Sequence, residues 1–262
     1  MMRATRVTGK PITHERLHQR VVEELLKQIV SGAIPPGTAL PSEPELARQF
    51  GVSRIVIREA IRILVEKGLV AVRHGSGMWV QPAEQWNHLD PMVLFERLRS
   101  NRDPSWLEEI LELRKILELA AAELAAVRRT PEHLARLNDL LGRMRAAVAD
   151  ADAATYVSLD VTFHEVIMEA AGNRLLREAR RPLSDVLFSG WLMTTRTPER
   201  LTRSLRGHED IYTAIAAGDP LAAREAMRRH VEYFENNIRA DLELPTREAV
   251  GAVSGDGHHF AN

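Results

Sequence analysis

Apolar side chains recur at helical spacing over most of this chain. Ile57, Ile61 and Leu64 fall three and four residues apart, which predicts a helix with one buried face. A first helix over about residues 14–31 is predicted on the same grounds, with its inner face at Val21, Leu25 and Ile29.

The second half of the chain is predicted to be entirely helical, because no strand-like alternation follows Gln81. A short helix over residues 92–99 precedes it. Helices are then predicted to begin near residues 105 and 131 and to span residues 150–171, 175–195, 203–217 and 220–242.

Two short β-prone segments, residues 69–73 and 78–81, flank a turn-forming segment over residues 74–77. Because two helices and a tight turn precede them, they predict the wing of a winged helix. The predicted fold class is mostly α, with an N-terminal winged helix-turn-helix that carries a small β-hairpin wing, and a C-terminal all-α helical bundle. The predicted organisation is a flexible arm (1–13), the winged domain (14–81), a connector (82–104), the helical domain (105–242) and a disordered tail (243–262).

The helix-turn-helix is marked by capping residues. Ser42 and Glu45 have the spacing of a capping box, so they can satisfy free backbone groups where the first of the two helices begins. Gly51 can supply the turn, since glycine enters left-handed backbone space without a side-chain penalty. Ser53 is a suitable N-cap for the second helix.

The second helix carries a basic face. Arg54, Arg58 and Arg62 recur every fourth residue, away from the apolar stripe. Such a helix suits a DNA major groove, where arginine reads guanine edges and neutralises phosphates. An ordinary amphipathic helix with a solvated basic face is the alternative. The wing tip adds Arg73 and His74 beside glycines, a combination that suits a minor groove.

Charge and composition narrow the class of protein. Residues 1–81 carry a net charge of +5 and the remainder carries −6, within a total of −1. A basic module joined to an acidic remainder favours DNA binding by the first part alone. The chain has no cysteine, which excludes a disulfide framework and fits a reducing cytoplasm. No apolar run could span a bilayer and no signal peptide begins the chain, so we expect a cytoplasmic protein without a membrane partner.

Four residues of the helical part form a second candidate site. Asp160 and His164 lie one turn apart on a predicted helix, while His208 and His230 lie on the last two helices. Three imidazoles and one carboxylate suit a divalent metal such as zinc, nickel or manganese. The alternative is that these histidines are surface residues or satisfied core groups.

Residues 15–81 resemble the DNA-binding domain of GntR-type bacterial transcription regulators. The matching residues are Ile34-Pro35-Pro36-Gly37, Leu40-Pro41-Ser42-Glu43, Glu45-Leu46-Ala47, Val52-Ser53-Arg54, Arg58-Glu59-Ala60, Leu64, Gly68-Leu69-Val70 and Gly75-Ser76-Gly77. The resemblance implies that Arg54 and Arg58 touch bases and that His74 and Gly75 enter the minor groove. The full set of predicted DNA contacts is Ser42, Ser53, Arg54, Ile55, Arg58, Arg73, His74 and Gly75.

The chain departs from this family at three positions. Pro44 stands where members usually carry a DNA-contacting arginine. Ile55 and Val56 stand where small hydroxyl residues are common. The operator preference of this chain is therefore expected to differ.

Residues 105–240 resemble the all-helical effector domain of the FadR branch of these regulators, the FCD domain. The matching residues are Leu113-Arg114, Glu118, Ala121-Ala122, Asp160, Phe163, His164, Gly172-Asn173, His208 through Ile211, Ile215, Gly218-Asp219, Ala223, Met227 and His230. The resemblance implies that Asp160, His164, His208 and His230 bind a divalent metal, zinc first among the candidates. It also implies a small carboxylate effector near Arg114 and Asn173. The alternatives are a helix-surface salt bridge from Arg114 to Glu118, and a helix cap at Asn173.

Residues 85–91, followed by Val93-Leu94, resemble the connector of sugar-acid-responsive members of this branch. The sequence thus predicts a homodimeric, ligand-responsive regulator, a repressor rather than an activator, that binds a near-palindromic double-stranded DNA operator. It is not predicted to be an enzyme. One alternative is a metalloenzyme with a DNA-binding appendage, although the sequence places no evident carboxylate as its general base. The other is a structural protein that binds DNA nonspecifically.

Overall fold

The fold is that of a computed structural model, which describes residues 15–73, 75, 77–100, 105–194 and 197–241. The chain divides into two compact units, residues 1–104 and 105–262. The predicted arm, the predicted tail and His74 lie outside the described residues. None of the helices that the structure describes is long and apolar enough to cross a membrane.

The first unit is a winged helix-turn-helix followed by one further helix. Its elements are α1 (Glu15–Val30), β1 (Ala39–Leu40), α2 (Glu43–Phe50), α3 (Arg54–Glu66), β2 (Val70–Arg73), β3 (Gly77–Val80) and α4 (Pro91–Ser100). Its core contains the three predicted positions of α1, together with Ile57, Ile61 and Leu64 of α3, each at most 4 % exposed. Burial of this stripe leaves the opposite face of α3 in solvent.

The predicted caps of the helix-turn-helix are confirmed. Gly51 ends α2 in the left-handed conformation, with φ of 64°. The Ser53 hydroxyl accepts a hydrogen bond from the Val56 backbone N–H at 3.4 Å, where α3 begins. At the start of α2, the Glu45 carboxylate accepts from the Ser42 backbone N–H at 3.2 Å. These contacts fix the angle at which α3 leaves the turn.

The wing is a sheet of three strands rather than the predicted hairpin alone. Strand β3 lies in the middle, antiparallel to both β2 and β1. Val70 pairs with Val80, and Ala39 pairs with Trp79. A strand of two residues, such as β1, is too short to show any alternation, so it could not be predicted from the hydrophobic pattern.

The start of the predicted connector packs against the first unit. A 3-10 turn, Ala83–Gln85, lies so close to Gly68 that a Cβ there would approach the Gln85 carbonyl oxygen to 2.3 Å. The Lys67 ammonium pairs with Asp90 at 2.6 Å, and both side chains are largely buried. This stretch and α4 therefore form part of the first unit.

The second unit is an all-helical bundle. It comprises α5 (Ser105–Arg128), α6 (Pro131–Ala149), α7 (Ala153–Ala170), α8 (Arg174–Thr194), α9 (Pro198–Ala217) and α10 (Pro220–Asp241). A continuous apolar core joins α5, α6, α7, α9 and α10. Together the two units confirm the predicted fold class.

Helix α9 begins five residues earlier than predicted. Thr197 is its N-cap, since the Thr197 hydroxyl accepts from the Arg200 backbone N–H at 3.3 Å, and Pro198 occupies the first turn. The same triplet, Thr-Pro-Glu, begins α6 at Thr130. An N-cap threonine followed by proline marks the start of a helix at both places.

Candidate functional site

Helix α3 presents its basic face to solvent. Ile55 is 74 % exposed, and the Arg54 and Arg58 side chains are exposed as well. Single exposed apolar residues are common on protein surfaces, but Ile55 lies between two arginines on the face that is predicted to bind DNA. It is suited to contact with the apolar edge of a base, such as a thymine methyl group.

The three arginines of this face differ in their ion pairs. The Arg58 guanidinium donates to the Glu43 carboxylate across the turn, at 3.1 Å from Nη2, and this pairing raises its pKa. Arg62 is held within its own helix by Glu59 at 3.2 Å and Glu66 at 2.7 Å. Arg54 has no ion-pair partner among the residues that the structure describes. Arg58 and Arg62 are therefore both paired with carboxylates, but Arg58 lies nearer the turn and Arg62 is held by two carboxylates of its own helix.

The other predicted DNA contacts that the structure describes lie at the starts of α2 and α3 and in the wing. Ser42 and Ser53 are the N-cap residues of α2 and α3. Arg73 is exposed at the end of β2 and pairs with Gly77 of β3. Gly75 has φ of 75° at the wing tip, a conformation that few other residues adopt.

The four predicted metal ligands come together in the helical unit. Asp160 and His164 lie on α7, His208 on α9 and His230 on α10. One ligand atom from each lies within 4.8 Å of the others, and all four residues are buried. They share one location only because three helices pack together, which the sequence spacing could not show.

The cluster contains close pairs of ligand atoms and one unsatisfied oxygen atom. The Nε2 atoms of His164 and His230 face each other at 3.2 Å, and His208 Nε2 lies 2.8 Å from Asp160 Oδ1. Within the described residues, the buried Asp160 Oδ2 lacks a hydrogen-bond partner. An unsatisfied buried oxygen is costly, and a metal ion at the cluster would satisfy it.

Outer contacts orient two of the imidazoles. His164 Nδ1 lies 2.7 Å from the buried Glu118 carboxylate, and His208 Nδ1 lies 2.9 Å from the Ser204 carbonyl oxygen. Both are acceptors, so each Nδ1 carries the proton and each Nε2 presents its lone pair to the cluster. Metal-binding histidines are usually held in this way.

The electrostatics of the cluster keep its ligands in metal-binding form. Burial lowers the pKa of His164 and of His230, so both are neutral at physiological pH. Burial alone would raise the pKa of Asp160, but His208 and the other two histidines outweigh it and leave that pKa below its ordinary range.

Gly207 brings α9 close to the ring of His230. A Cβ at this position would lie 2.8 Å from His230 Nδ1 and 3.4 Å from His230 Cβ. His230 and Gly207 also line a groove of about 650 Å³ beside α9 and α10. The close approach explains a glycine inside a helix, where it otherwise costs about 1 kcal/mol relative to alanine.

The two predicted effector residues have different environments. Arg114 is 1 % exposed, so the alternative of a helix-surface salt bridge is wrong, although its Nε lies 3.6 Å from Glu118 Oε1. Its guanidinium also stacks on Phe234 at 4.4 Å. Asn173 is exposed and caps α8, with its side-chain oxygen accepting from the Leu175 N–H at 3.1 Å. An effector contact by either residue stays a prediction.

A winged helix with an exposed arginine face, joined to a helical bundle with a buried His/Asp cluster, defines a DNA-binding transcription regulator. The chain belongs to the GntR family of bacterial regulators, in the branch with an FCD domain. The family model described as "Bacterial regulatory proteins, gntR family" matches residues 17–80, and that of the FCD domain matches residues 109–233. FCD domains often bind metal.

Named relatives agree with this assignment. The chain is 34 % identical to the galactonate operon transcriptional repressor of Escherichia coli (strain K12), over 79 % of this chain and 90 % of that protein. It is 32 % identical to the HTH-type transcriptional regulator LutR of Bacillus subtilis (strain 168), over 80 % and 100 %. The solved structure of Lar, which controls expression of the Listeria monocytogenes agr system, shares the fold, with a TM-score of 0.61, 22 % identity and coverage of 87 % and 99 %. These relatives are regulators, and this chain is not an enzyme.

Proposed function

We propose that this protein is a repressor whose DNA binding responds to a small carboxylate held by a metal ion in the helical unit. The observation that carries the proposal is the buried cluster of Asp160, His164, His208 and His230. A structural role alone would not require four buried ligands with converging lone pairs. The metal is zinc, with nickel and manganese as alternatives for three nitrogen donors and one oxygen donor.

Charge balance supports an anionic effector. Arg114 and Arg180 bring two positive charges to the surroundings of the cluster, and Glu118 and Asp160 bring two negative charges. The nearby Glu235, which interacts with Arg114, is paired with Arg239. Because the histidines bind metal in the neutral form, a divalent ion adds two positive charges to groups that otherwise balance. Uncompensated charge in a buried site is costly, and a carboxylate that binds the metal reduces that cost. A metal ion with four protein ligands can keep a coordination position open for the carboxylate.

A sugar acid is the carboxylate that we propose. One relative is named for a galactonate operon, and galactonate is an aldonate. The resemblance of residues 85–91 to the connector of sugar-acid-responsive regulators points to the same class. Arg114 is the residue we propose to pair with the carboxylate, because a guanidinium can bind it in bidentate fashion.

On the DNA side, we propose that Arg54, Ile55 and Arg58 read bases in the major groove. Ser42 and Ser53 would contact phosphates, and Arg73, His74 and Gly75 would enter the minor groove. Two copies of the chain, related by a two-fold axis, would read a near-palindromic operator. Ile116 and Val127, which are 59 % and 64 % exposed on the same side of α5, are apolar positions that a partner copy could cover.

The proposal is tested by a thermal-shift screen of metal-loaded protein against aldonates, uronates, lactate and dicarboxylates. Each acid is repeated after chelation and with His164→Ala. A ligand that binds only the folded state raises the melting temperature by mass action. We expect one class of acid to raise it, and only when metal is present and His164 is intact. A shift that persists after chelation would contradict the metal-dependent site.

A further inference from the structure

A buried arginine on α8 reaches the metal cluster through one intermediate side chain. Arg180 is 2 % exposed, and its Nε donates to Glu118 Oε1 at 2.8 Å. The other oxygen of that carboxylate, Oε2, accepts from His164 Nδ1 at 2.7 Å. The two oxygens of Glu118 therefore connect Arg180 on α8 to a predicted ligand on α7.

The Glu118 carboxylate depends on Arg180 for its orientation. Glu118 is fully buried, so solvent cannot hold either of its oxygens. Arg114 lies near the same oxygen, Oε1, but its Nε is 3.6 Å away, beyond hydrogen-bonding distance. Arg180 supplies the short, charge-assisted hydrogen bond, and such bonds restrict geometry most strongly.

We propose that Arg180 is a positioning residue, which holds His164 in its metal-binding orientation by fixing the Glu118 carboxylate. This inference rests on the proposed metal site. An imidazole that loses its outer acceptor can rotate, or can move its proton to Nε2, which removes the lone pair that the metal needs. Outer partners of this kind typically contribute about tenfold to a hundredfold to metal affinity.

The chain offers a matched control on the same helix. Arg177 lies about one turn before Arg180 and is 48 % exposed, and it pairs with Glu165 at the surface. Arg180 Nη1 lies 4.0 Å from Oε2 of the same glutamate, which is too far for a hydrogen bond. Arg177→Met therefore removes an arginine and an ion pair from α8 without removing any hydrogen bond of Glu118 or of the His164 ring.

The test is a double-mutant cycle on metal affinity, measured by competition of Zn²⁺ between the full-length protein and a chromophoric chelator. Arg180→Met and Glu118→Gln are each expected to weaken zinc binding by about tenfold to a hundredfold, as outer-shell substitutions do. If Arg180 acts through Glu118, the double variant binds no more weakly than Glu118→Gln alone. Arg177→Met is expected to leave affinity unchanged. Losses that multiply in the double variant, or an unchanged affinity in Arg180→Met, would overturn the proposal.

Two further measurements separate positioning from folding. Arg180→Lys keeps the charge but lacks the planar guanidinium, so it is expected to retain part of the zinc affinity. This variant replaces Arg180→Met in the comparison if Arg180→Met does not fold. In metal-free protein, the ¹⁵N shifts of the His164 ring report which nitrogen carries the proton. We expect Nδ1–H alone in the wild type and a mixture in the Arg180 variants. If the wild type binds no zinc, the proposed metal site is refuted, but the ¹⁵N shifts of the His164 ring still test the role of Arg180. Identical ring shifts in the wild type and all variants would refute that role.

Discussion

At the scale of single residues, the close approach between Gly207 and His230 gives a sharp prediction. Gly207→Ala places a methyl group 2.8 Å from His230 Nδ1, so the imidazole must move. We expect metal affinity to fall by at least about tenfold, the lower end of what changes around metal ligands cause. Chelator competition on the purified variant measures it.

Gly142→Ala is the matched control for this substitution. Gly142 also lies inside a helix, α6, but a Cβ there would meet nothing within 4 Å. We expect this variant to keep its metal affinity and to gain up to about 1 kcal/mol of unfolding free energy, because alanine favours the helix. If Gly207→Ala and Gly142→Ala bind the metal equally well, His230 does not bind the ion with its ring in the position that the structure gives.

The arginines of α3 give a second prediction at this scale. Arg58→Ala is expected to weaken operator binding by about 1–3 kcal/mol, the value of a good bidentate contact to a base, while metal binding stays intact. The measurement is fluorescence anisotropy with a near-palindromic duplex obtained by in vitro selection. Arg62→Ala is the control, since Arg62 lies one turn further along α3 than Arg58 and is held by two carboxylates of its own helix, Glu59 and Glu66. If both variants bind the operator as the wild type does, α3 does not read the bases.

At the scale of elements, the residues that begin and end helices made much of the fold predictable. Gly51 and Ser53 act within a few residues of their own positions, so the sequence alone located the helix-turn-helix. Strand β1 is defined by its partner β3, which lies 38 residues further on, and no local signal marks it. Arg180 and Glu118 are 62 residues apart, so only the packing of α5 against α8 shows that they meet near His164. The ligand types were predictable from the sequence, but the outer contacts were not.

The N-caps of α6 and α9 give a prediction for these elements. Thr130 and Thr197 each accept a hydrogen bond from a backbone N–H of the first turn, at 3.4 and 3.3 Å. Replacing either threonine with alanine is expected to lower the unfolding free energy by about 1 kcal/mol. Urea denaturation of the two variants measures the loss. A Thr197→Ala variant as stable as the wild type, beside a destabilised Thr130→Ala, would contradict a start of α9 at this residue.

At the scale of the whole molecule, ionisable groups are divided unequally between the two units. Among the described residues of the first unit, only Glu96 and the Lys67–Asp90 pair are largely buried ionisable side chains, whereas the helical unit buries the His/Asp cluster, Glu118 and several arginines. The first unit presents its charge to solvent, as a DNA-binding surface requires. The helical unit also carries exposed ion pairs, but it buries part of its charge around the cluster, where these groups can respond to a ligand. Acid should therefore act on the helical unit first.

The sign of this effect follows from the pKa shifts. Because burial lowers the pKa of His164 and of His230, the unfolded chain binds protons that the folded chain does not. Stability should thus fall as pH falls below about 6.5, the ordinary value for histidine, by up to about 1.4 kcal/mol per histidine for each pH unit. Asp160 and Glu118 extend the loss to lower pH, since their pKa values lie below those of the unfolded chain.

Thermal unfolding of the metal-free protein between about pH 7.5 and pH 5.5 tests this dependence across the histidine range. His230→Gln removes one of the two responsible groups, so its stability should vary less with pH than that of the wild type. His133→Gln is the control, because His133 is not buried and lies at the start of α6.

Addition of zinc should raise stability at neutral pH and lose its effect in acid, since protons and metal compete for the same nitrogen lone pairs. A wild-type stability that stays constant through pH 6.5 would mean that these histidines are not held neutral in the fold, and the metal would then have to displace protons in order to bind.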